Sequence, residues 1–257
     1  MRVFLSVVSH KHASLITELD CLSILAKHFV VVLKNNYEGE AQLLQRYCDQ
    51  HSIHLINDAY GCGFGKNNNI VFKYCEEQFN IADDDFFITF NPDVVASPED
   101  IQQLIDCMSN NSIPFAAISL YKNNERTIRD FSIRKFPTFT TFAKSFMGLG
   151  NNSLIKECLD VSKVDWAAGS FLAFRTDVYK KLRGFDEKFF MYCEDIDICY
   201  RANKQGYGLT YLPTISAVHL AKHQNRKIFS KHFYWHIKSA LMFLLLSKAG
   251  IRTKSIL

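Results

Sequence analysis

The 257-residue chain is 48% hydrophobic and 22% charged, a globular balance that excludes disorder and allows one large domain or two small ones. Its net charge of +4 is too mild to point to nucleic acid, and its basic residues are not interleaved into a recognisable nucleic-acid module.

Val3 to Val8 is a β-branched and apolar run ending at Ser9-His10, which predicts a buried strand. Leu15, Leu19, Leu22 and Leu25 then give helical spacing over His12 to Lys27. A second strand is predicted at Phe29 to Leu33, closed by Lys34-Asn35-Asn36, then a helix at Ala41 to His51 and a strand at Ile53 to Ile56. Asn69 to Phe79 reads as a helix and Asp85 to Phe90 as a further buried strand. Strands alternating with helices predict a parallel sheet with helices on both faces. Pro98 to Met108 is helical, with Ser97 as N-cap and Glu99 and Asp100 in its first turn. A strand follows at Ala116 to Tyr121, and Asn123 to Asn152 is irregular and basic, as a long connection or flap would be. The remaining expectations are a strand at Ser170 to Arg175, helices at Thr176 to Leu182 and Glu194 to Gln205, a strand at Tyr207 to Leu212, and a final helix from Phe229 to Leu246. One continuous α/β domain over 1–225 with a C-terminal helical extension over 226–257 is the simplest organisation.

The extension carries Arg226, Lys227, Lys231, Lys238, Lys248, Arg252 and Lys254 with no acidic residue. Such a basic segment suits anionic lipid or phosphate, or forms a solvated helix face. Phe233, Trp235, Ile237, Leu241, Phe243 and Leu244 supply the apolar surface of an interfacial helix, or of one packed on the domain or a second subunit. The late apolar run Ala240 to Leu246 falls far short of the roughly 20 residues a spanning helix needs. The opening MRVFLSVVSH has no separate charged region or cleavage site, so no signal peptide is expected. Eight scattered cysteines without a C-x-x-C pair argue against structural zinc and favour reduced thiols in the cytoplasm.

Four clusters carry chemistry. In Gly61-Cys62-Gly63-Phe64-Gly65-Lys66-Asn67-Asn68-Asn69 the alternating glycines permit close backbone approach to a phosphate or nucleotide, or build an ordinary turn. Asn91-Pro92-Asp93 leaves a carboxylate at the C-terminal end of a strand, where open α/β sheets bind ligands. Asp93 suits a hard divalent cation shared with substrate phosphates, or caps the helix that follows. Glu194, Asp195 and Asp197 follow an aromatic run, where burial raises carboxyl pKa values and suits a general base. His219 and His223 follow a predicted strand; either could complete a metal site or be structural.

The segments VFLSVVSH, GFGKNNNI, FNPDV, RKFP, VDWAAGSFLAFR, GFDEKFFMYCEDIDICYR and YLPTISAVHLAKH occur in an order that resembles family 2 glycosyltransferases of the GT-A fold, specifically bacterial rhamnosyltransferases of O-antigen assembly. The resemblance implies a Rossmann-like, mixed and mostly parallel sheet flanked by helices. It also implies inverting transfer of L-rhamnose from dTDP-L-rhamnose to a saccharide on a polyprenyl diphosphate, at the inner face of the cytoplasmic membrane. Asp195 would be the base, with Glu194 assisting. Asp93 and His219 would hold Mg²⁺ or Mn²⁺, with Asn91 in place of the first acid of a D-x-D-like element. Ser9, Asn35, Gly63, Gly65, Asn68, Asn69 and Asn91 would line the donor site, and Trp166 and Gly169 the acceptor platform. Where many members carry a base-reading Asp, this chain has Lys34 followed by Asn35, so Asn35 takes over that contact or base recognition is looser. A UDP-sugar donor and a non-catalytic sugar-nucleotide binder are the competing readings. A nucleotidyltransferase ranks below them, because Ser9-His10-Lys11-His12 stands where its Gly-rich basic loop would be. Homodimerisation is left open.

Overall fold

A computed structural model of the chain describes residues 1–146, 153–155, 160–220 and 231–249. Its central sheet begins with four parallel strands, β1 (Val3–Ser9), β2 (Val30–Asn35), β3 (His54–Ile56) and β4 (Phe86–Phe90). β5 (Val94–Val95), β6 (Phe115–Tyr121), β7 (Arg129–Asp130), β8 (Ile133–Arg134), β9 (Ser162–Lys163), β10 (Trp166–Ala167), β11 (Phe171–Arg175) and β12 (Thr210–His219) complete the strands. The order is β3-β2-β1-β4-β11-β6-β12-β5. β11 runs antiparallel to both neighbours, β12 lies parallel to β6, and β5 is antiparallel at the far edge. The sheet is therefore mixed, and β8 pairs with β10 as a separate two-stranded ribbon.

Near-continuous apolar runs such as Val3 to Val7 and Phe86 to Phe90 are what strands buried on both faces require. One face is covered by α1 (Ala13–Leu19), α2 (Cys21–Leu25) and α3 (Ala41–His51), through residues such as Ile16, Leu22 and Leu44. α4 (Phe64–Phe79) covers the other face through Val71 and Phe72, while α5 (Pro98–Asn110) joins the first layer through Ile101 and Leu104. α6 (Phe139–Phe146) lies in the long connection, and α7 (Thr176–Leu182), α8 (Glu194–Lys204) and α9 (Lys231–Ala249) pack with α4. Ala240 and Phe243 of α9 are buried in that same cluster, so the C-terminal helix is seated on the domain.

Several boundaries differ from the sequence expectation for identifiable reasons. The helix expected over His12 to Lys27 breaks at Asp20, which is left-handed (φ 49°) and accepts a hydrogen bond from the Tyr47 hydroxyl at 3.0 Å. α4 begins at Phe64, five residues before the expected start, because Gly63 serves as its N-cap. β12 continues past Pro213 to His219 through a register shift between Leu212 and Ser216, the kind of bulge that accommodates a proline in a strand. Ser97 caps α5 reciprocally with Asp100, as expected. His223, Arg226, Lys227, Arg252 and Lys254 lie outside the described residues, as does the side chain of Lys248.

Asp85, the first residue of the strand expected over Asp85 to Phe90, is buried just ahead of β4. Its carboxylate accepts the Arg2 backbone N–H at 2.6 Å, Arg2 Nε at 3.0 Å and Nη2 at 2.7 Å, and the Ala82 N–H at 2.9 Å. Burial by itself would raise its pKa, but these bonds and the Arg2 charge override it and hold the carboxyl below the usual range. Asp85→Ala is expected to cost about 2 kcal/mol in urea unfolding at neutral pH. A carboxyl with a lowered folded pKa contributes stability above its unfolded value near 4 and loses it as pH falls through the folded value. The deficit should therefore shrink in acid; a pH-independent deficit would mean packing, not charge, is lost.

Candidate active site

The carboxyl ends of the parallel strands β1, β2 and β4 converge at one edge of the sheet. Ser9 pairs in register with Asn35, and the Asn91 N–H donates to Ser170 O at 3.0 Å. Ser9 Oγ is buried with no hydrogen-bond partner among the described residues. Asn35 is fully buried: its amide donates to Asn57 Oδ1 at 2.8 Å and accepts the Tyr37 N–H at 3.0 Å. Lys34 turns inward, capping the carbonyls of Asn35 and Asp58, both at 2.6 Å. Lys34, at the position of the family's base-reading Asp, and Asn35, expected to take over that contact, are thus both engaged within the protein. Asn36 ties Cys62 down instead, accepting its N–H at 2.8 Å and donating to its carbonyl at 2.9 Å.

The glycine–asparagine loop is largely helix. Because α4 starts at Phe64, Asn67, Asn68 and Asn69 face inward and are buried. Asn69 donates to Phe185 O and Glu187 Oε1 and accepts from the Tyr179 hydroxyl and the Phe185 N–H, which fills its hydrogen-bonding capacity. Asn68 accepts from the Ser6 hydroxyl at 2.7 Å and donates to Phe64 O at 3.0 Å. A Cβ on Gly63 would stand 2.2 Å from Phe190 O, and one on Gly65 2.6 Å from the Phe185 Cβ and 3.7 Å from that of Glu194. In this structure the two glycines and Asn69 seat α4 against the segment 185–194, which carries the acidic pair, and the Asn68 amide is engaged by Ser6 and Phe64.

Asp93 follows β4, and its backbone carbonyl accepts the Leu220 N–H at 3.0 Å. That places it beside His219, the last residue of β12, with His219 Nε2 3.4 Å from Asp93 Oδ1. On the other side His219 Nδ1 lies 2.6 Å from Asp130 Oδ2 on β7. Burial alone would lower the imidazole pKa, but the two carboxylates overcome that and hold it at about 9. Asp93 and Asp130 move the opposite way: burial would raise both, and His219 brings both below the usual range. His12 also contributes its charge to Asp93. Among the described residues no three His, Cys, Asp or Glu side chains converge as a metal cage. The donor set still fits a hard cation that is completed by substrate oxygens. Asp93 and His219 Nε2 are close enough to share one ion, and Asp130 engages the opposite ring nitrogen, the usual second contact of a metal-bound histidine.

Glu194 and Asp195 open α8 and line a cavity of about 220 Å³ with Arg134, Trp166, Tyr192 and His236. Asp195 Oδ2 accepts the Gly169 N–H at 3.2 Å and Oδ1 the Ile196 N–H at 2.9 Å. Gly169 lies next to Ser170, whose carbonyl holds Asn91, so Asp93 and Asp195 share one end of the sheet. Trp166 donates from Nε1 to Lys135 O at 2.9 Å and lies beneath the Arg134 guanidinium, 5.2 Å from its ring centre. Burial pushes both carboxyls up, Glu194 well above the usual range because Asp195 adds like charge; Glu194 Oε2 has no hydrogen-bond partner among the described residues. Asp195, with its two amide donors and Arg134 nearby, is the member that ionises first.

Asp197, the third acid of the cluster, belongs to the scaffold. It is fully buried and paired with Arg201 at 2.6 Å, and that guanidinium also donates to the carbonyls of Leu182 and Gly184. Sequence reasoning missed Asp130, Tyr192 and His236. Asp130 lay in a stretch read as irregular. For His236 the available signal was its i,i+4 spacing from His232 within an aromatic helix.

A sequence profile described as "Glycosyltransferase like family 2" matches residues 29–237. The chain is 37% identical over 246 residues to rhamnosyltransferase WbbL of Escherichia coli K12, covering 94% of this chain and 92% of that protein. It is 28% identical over 244 residues to the N-acetylglucosaminyl-diphospho-decaprenol L-rhamnosyltransferase of Mycobacterium tuberculosis, covering 88% and 78% respectively. The crystal structure of S. aureus TarS 1-349 in complex with UDP-GlcNAc superposes with a TM-score of 0.56 at 15% identity. It covers 91% of this chain, which spans 64% of that one, and the likeness shows a common fold.

The acidic pair makes a prediction of its own. A carboxyl with a raised folded pKa keeps its proton while the unfolded chain has lost it, so stability falls as pH rises from about 4 through the folded value. Glu194→Gln removes that penalty. Its melting temperature should exceed the parent's at about pH 8 and converge with it near pH 4. Parallel curves across the range would mean Glu194 is not held neutral.

Proposed function

The chain belongs to glycosyltransferase family 2, and on that footing we propose that it is an inverting transferase moving L-rhamnose from dTDP-L-rhamnose to a saccharide carried on a polyprenyl diphosphate. The observation that carries this reading is the Asp195 carboxylate, held by the Gly169 N–H beside the buried Glu194 and facing a cavity walled by Trp166 and Arg134. The rhamnosyltransferase relatives support the sugar and the lipid-linked acceptor.

In this mechanism an acceptor hydroxyl enters the cavity beside Trp166, and Asp195 accepts its proton as the oxygen attacks the anomeric carbon. The attack comes from the face opposite the departing diphosphate, so the configuration inverts, as when a carboxylate base activates the attacking oxygen in inverting glycosidases. Asp93 and His219 would hold Mg²⁺ or Mn²⁺, which offsets charge on the departing nucleoside diphosphate. Asp130, by accepting a hydrogen bond from His219 Nδ1–H, keeps the ring oriented toward Asp93.

The protein acts, in this reading, on the cytoplasmic membrane face. Among the described residues no helix is long and apolar enough to cross a membrane. Along α9, Tyr234, Leu241 and Leu245 are exposed on the same side as Lys231 and Lys238. Apolar residues interleaved with lysines match an anionic lipid surface in both chemistry and charge.

Calorimetric titration with dTDP, UDP and GDP, each with and without Mn²⁺, tests the donor assignment. Metal-dependent binding of dTDP is expected; preference for UDP would move the donor to a UDP-sugar, and no binding of any nucleotide would remove the reading. Asp195→Asn should lower turnover by about 10²–10⁴-fold with nucleotide affinity retained; near-normal turnover would refute the base. In vesicle flotation, Leu241→Glu combined with Leu245→Glu should release the protein from anionic bilayers, and unchanged partitioning would dismiss the membrane contact.

A further inference from the structure

The residues immediately before the acidic pair adopt a conformation that needs support. Tyr192 (φ 69°) and Cys193 (φ 65°) are consecutive non-glycine residues in the left-handed region, which L side chains rarely adopt without support. Only Cys193 separates Tyr192 from Glu194, so the direction of this turn sets where Glu194 and Asp195 point. From below, α4 supports the turn: the Phe64 N–H donates to Phe190 O at 3.2 Å, and Gly63 lies against the same carbonyl.

From above, the turn is held by one face of α9. Ser239 Oγ donates to Met191 O at 2.9 Å. The Trp235 ring packs on Phe190 at 4.8 Å, and the His236 ring on Tyr192 at 4.9 Å. The Tyr192 hydroxyl lies 3.1 Å from His232 Nδ1. These four α9 residues fall at i, i+3, i+4 and i+7, the spacing of a single helix face. His236 also reaches the wall of the cavity that Asp195 lines.

We propose that α9 is part of the active site: Trp235 and Ser239 are positioning residues that hold the Phe190–Cys193 turn and so aim Glu194 and Asp195, while His236 forms a wall of the acceptor pocket. The assignment of that pocket to the acceptor rests on the function proposed above; the clamp itself does not. A helix that served only as an anchor would have no need to hydrogen-bond a turn against the catalytic acids. Here it spends one face on that turn and leaves the other to solvent.

Hydrogen exchange on the full chain tests the clamp without any turnover. In Trp235→Ala, and separately in Ser239→Ala, peptides spanning 186–197 should exchange about tenfold faster, with β1 and β4 unchanged. Unchanged exchange over 186–197 in both variants would overturn the clamp, as would a rise of equal size throughout the sheet. His236→Ala is then assayed with N-acetylglucosaminyl-diphospho-decaprenol as acceptor and dTDP-L-rhamnose as donor. The acceptor KM should rise about tenfold with dTDP affinity unaltered; an unaltered KM would remove His236 from the acceptor wall. Absence of transfer by the unsubstituted protein would count against the proposed function, and the exchange result would still decide the clamp.

Discussion

The Phe190 carbonyl rests on the Cα of Gly63 so closely that a methyl group there would stand 2.2 Å from its oxygen. Interiors this dense transmit small displacements rather than absorb them. A few ångströms away Gly65 admits the Phe185 side chain, and Asn69 spends both donors and both acceptor sites on the chain around Phe185 and on Tyr179. The start of α4 is thus the floor on which the segment 185–194 lies. Arg201, paired with Asp197, fastens the start of that segment through Leu182 and Gly184, and α9 covers its end. The acidic pair stands where these three supports place it.

Two electrostatic arrangements share one edge of the sheet and are opposite in character. At Asp93, His219 and Asp130, an imidazole lies between two carboxylates, and both carboxyls are held below the usual range. At Glu194 and Asp195, a buried acid stands beside a half-buried one, which disfavours ionising both. A leaving group that gathers negative charge and a hydroxyl that must lose a proton require environments of just these two kinds. β11 makes the separation workable. Antiparallel between β4 and β6, it brings Gly169 and Ser170 to the carboxyl end of β4, where one strand start contacts both Asn91 and Asp195.

Periodicity and turn residues were enough to place most strands and helices, because apolar runs such as Phe86 to Phe90 and the Ser97–Asp100 cap are local signals. They failed where a distant contact decided the matter. Nothing near Asp20 announces the hydroxyl of Tyr47 that breaks the first helix, and nothing near Pro213 announces that β12 resumes beyond the bulge. The asparagine run looked like a ligand-reading loop because three amides after glycines have that composition. Their partners, Ser6, Tyr179, Phe185 and Glu187, lie at least 60 residues away in the chain for Asn68 and over 100 for Asn69.

By itself the sequence determined the class of fold and the order of most of its elements, and it singled out Asp93, Glu194 and Asp195 as candidate acids. Strand and helix periods, and a carboxylate at the end of a buried strand, are properties of short stretches. Only the tertiary structure paired Asp197 with Arg201, gave Lys34 and Asn69 their partners within the fold, joined Asp130 to His219 and brought α9 onto the turn before Glu194. Each of those outcomes depends on which partner a polar or aromatic side chain meets across the fold, and burial makes that choice of partner decisive.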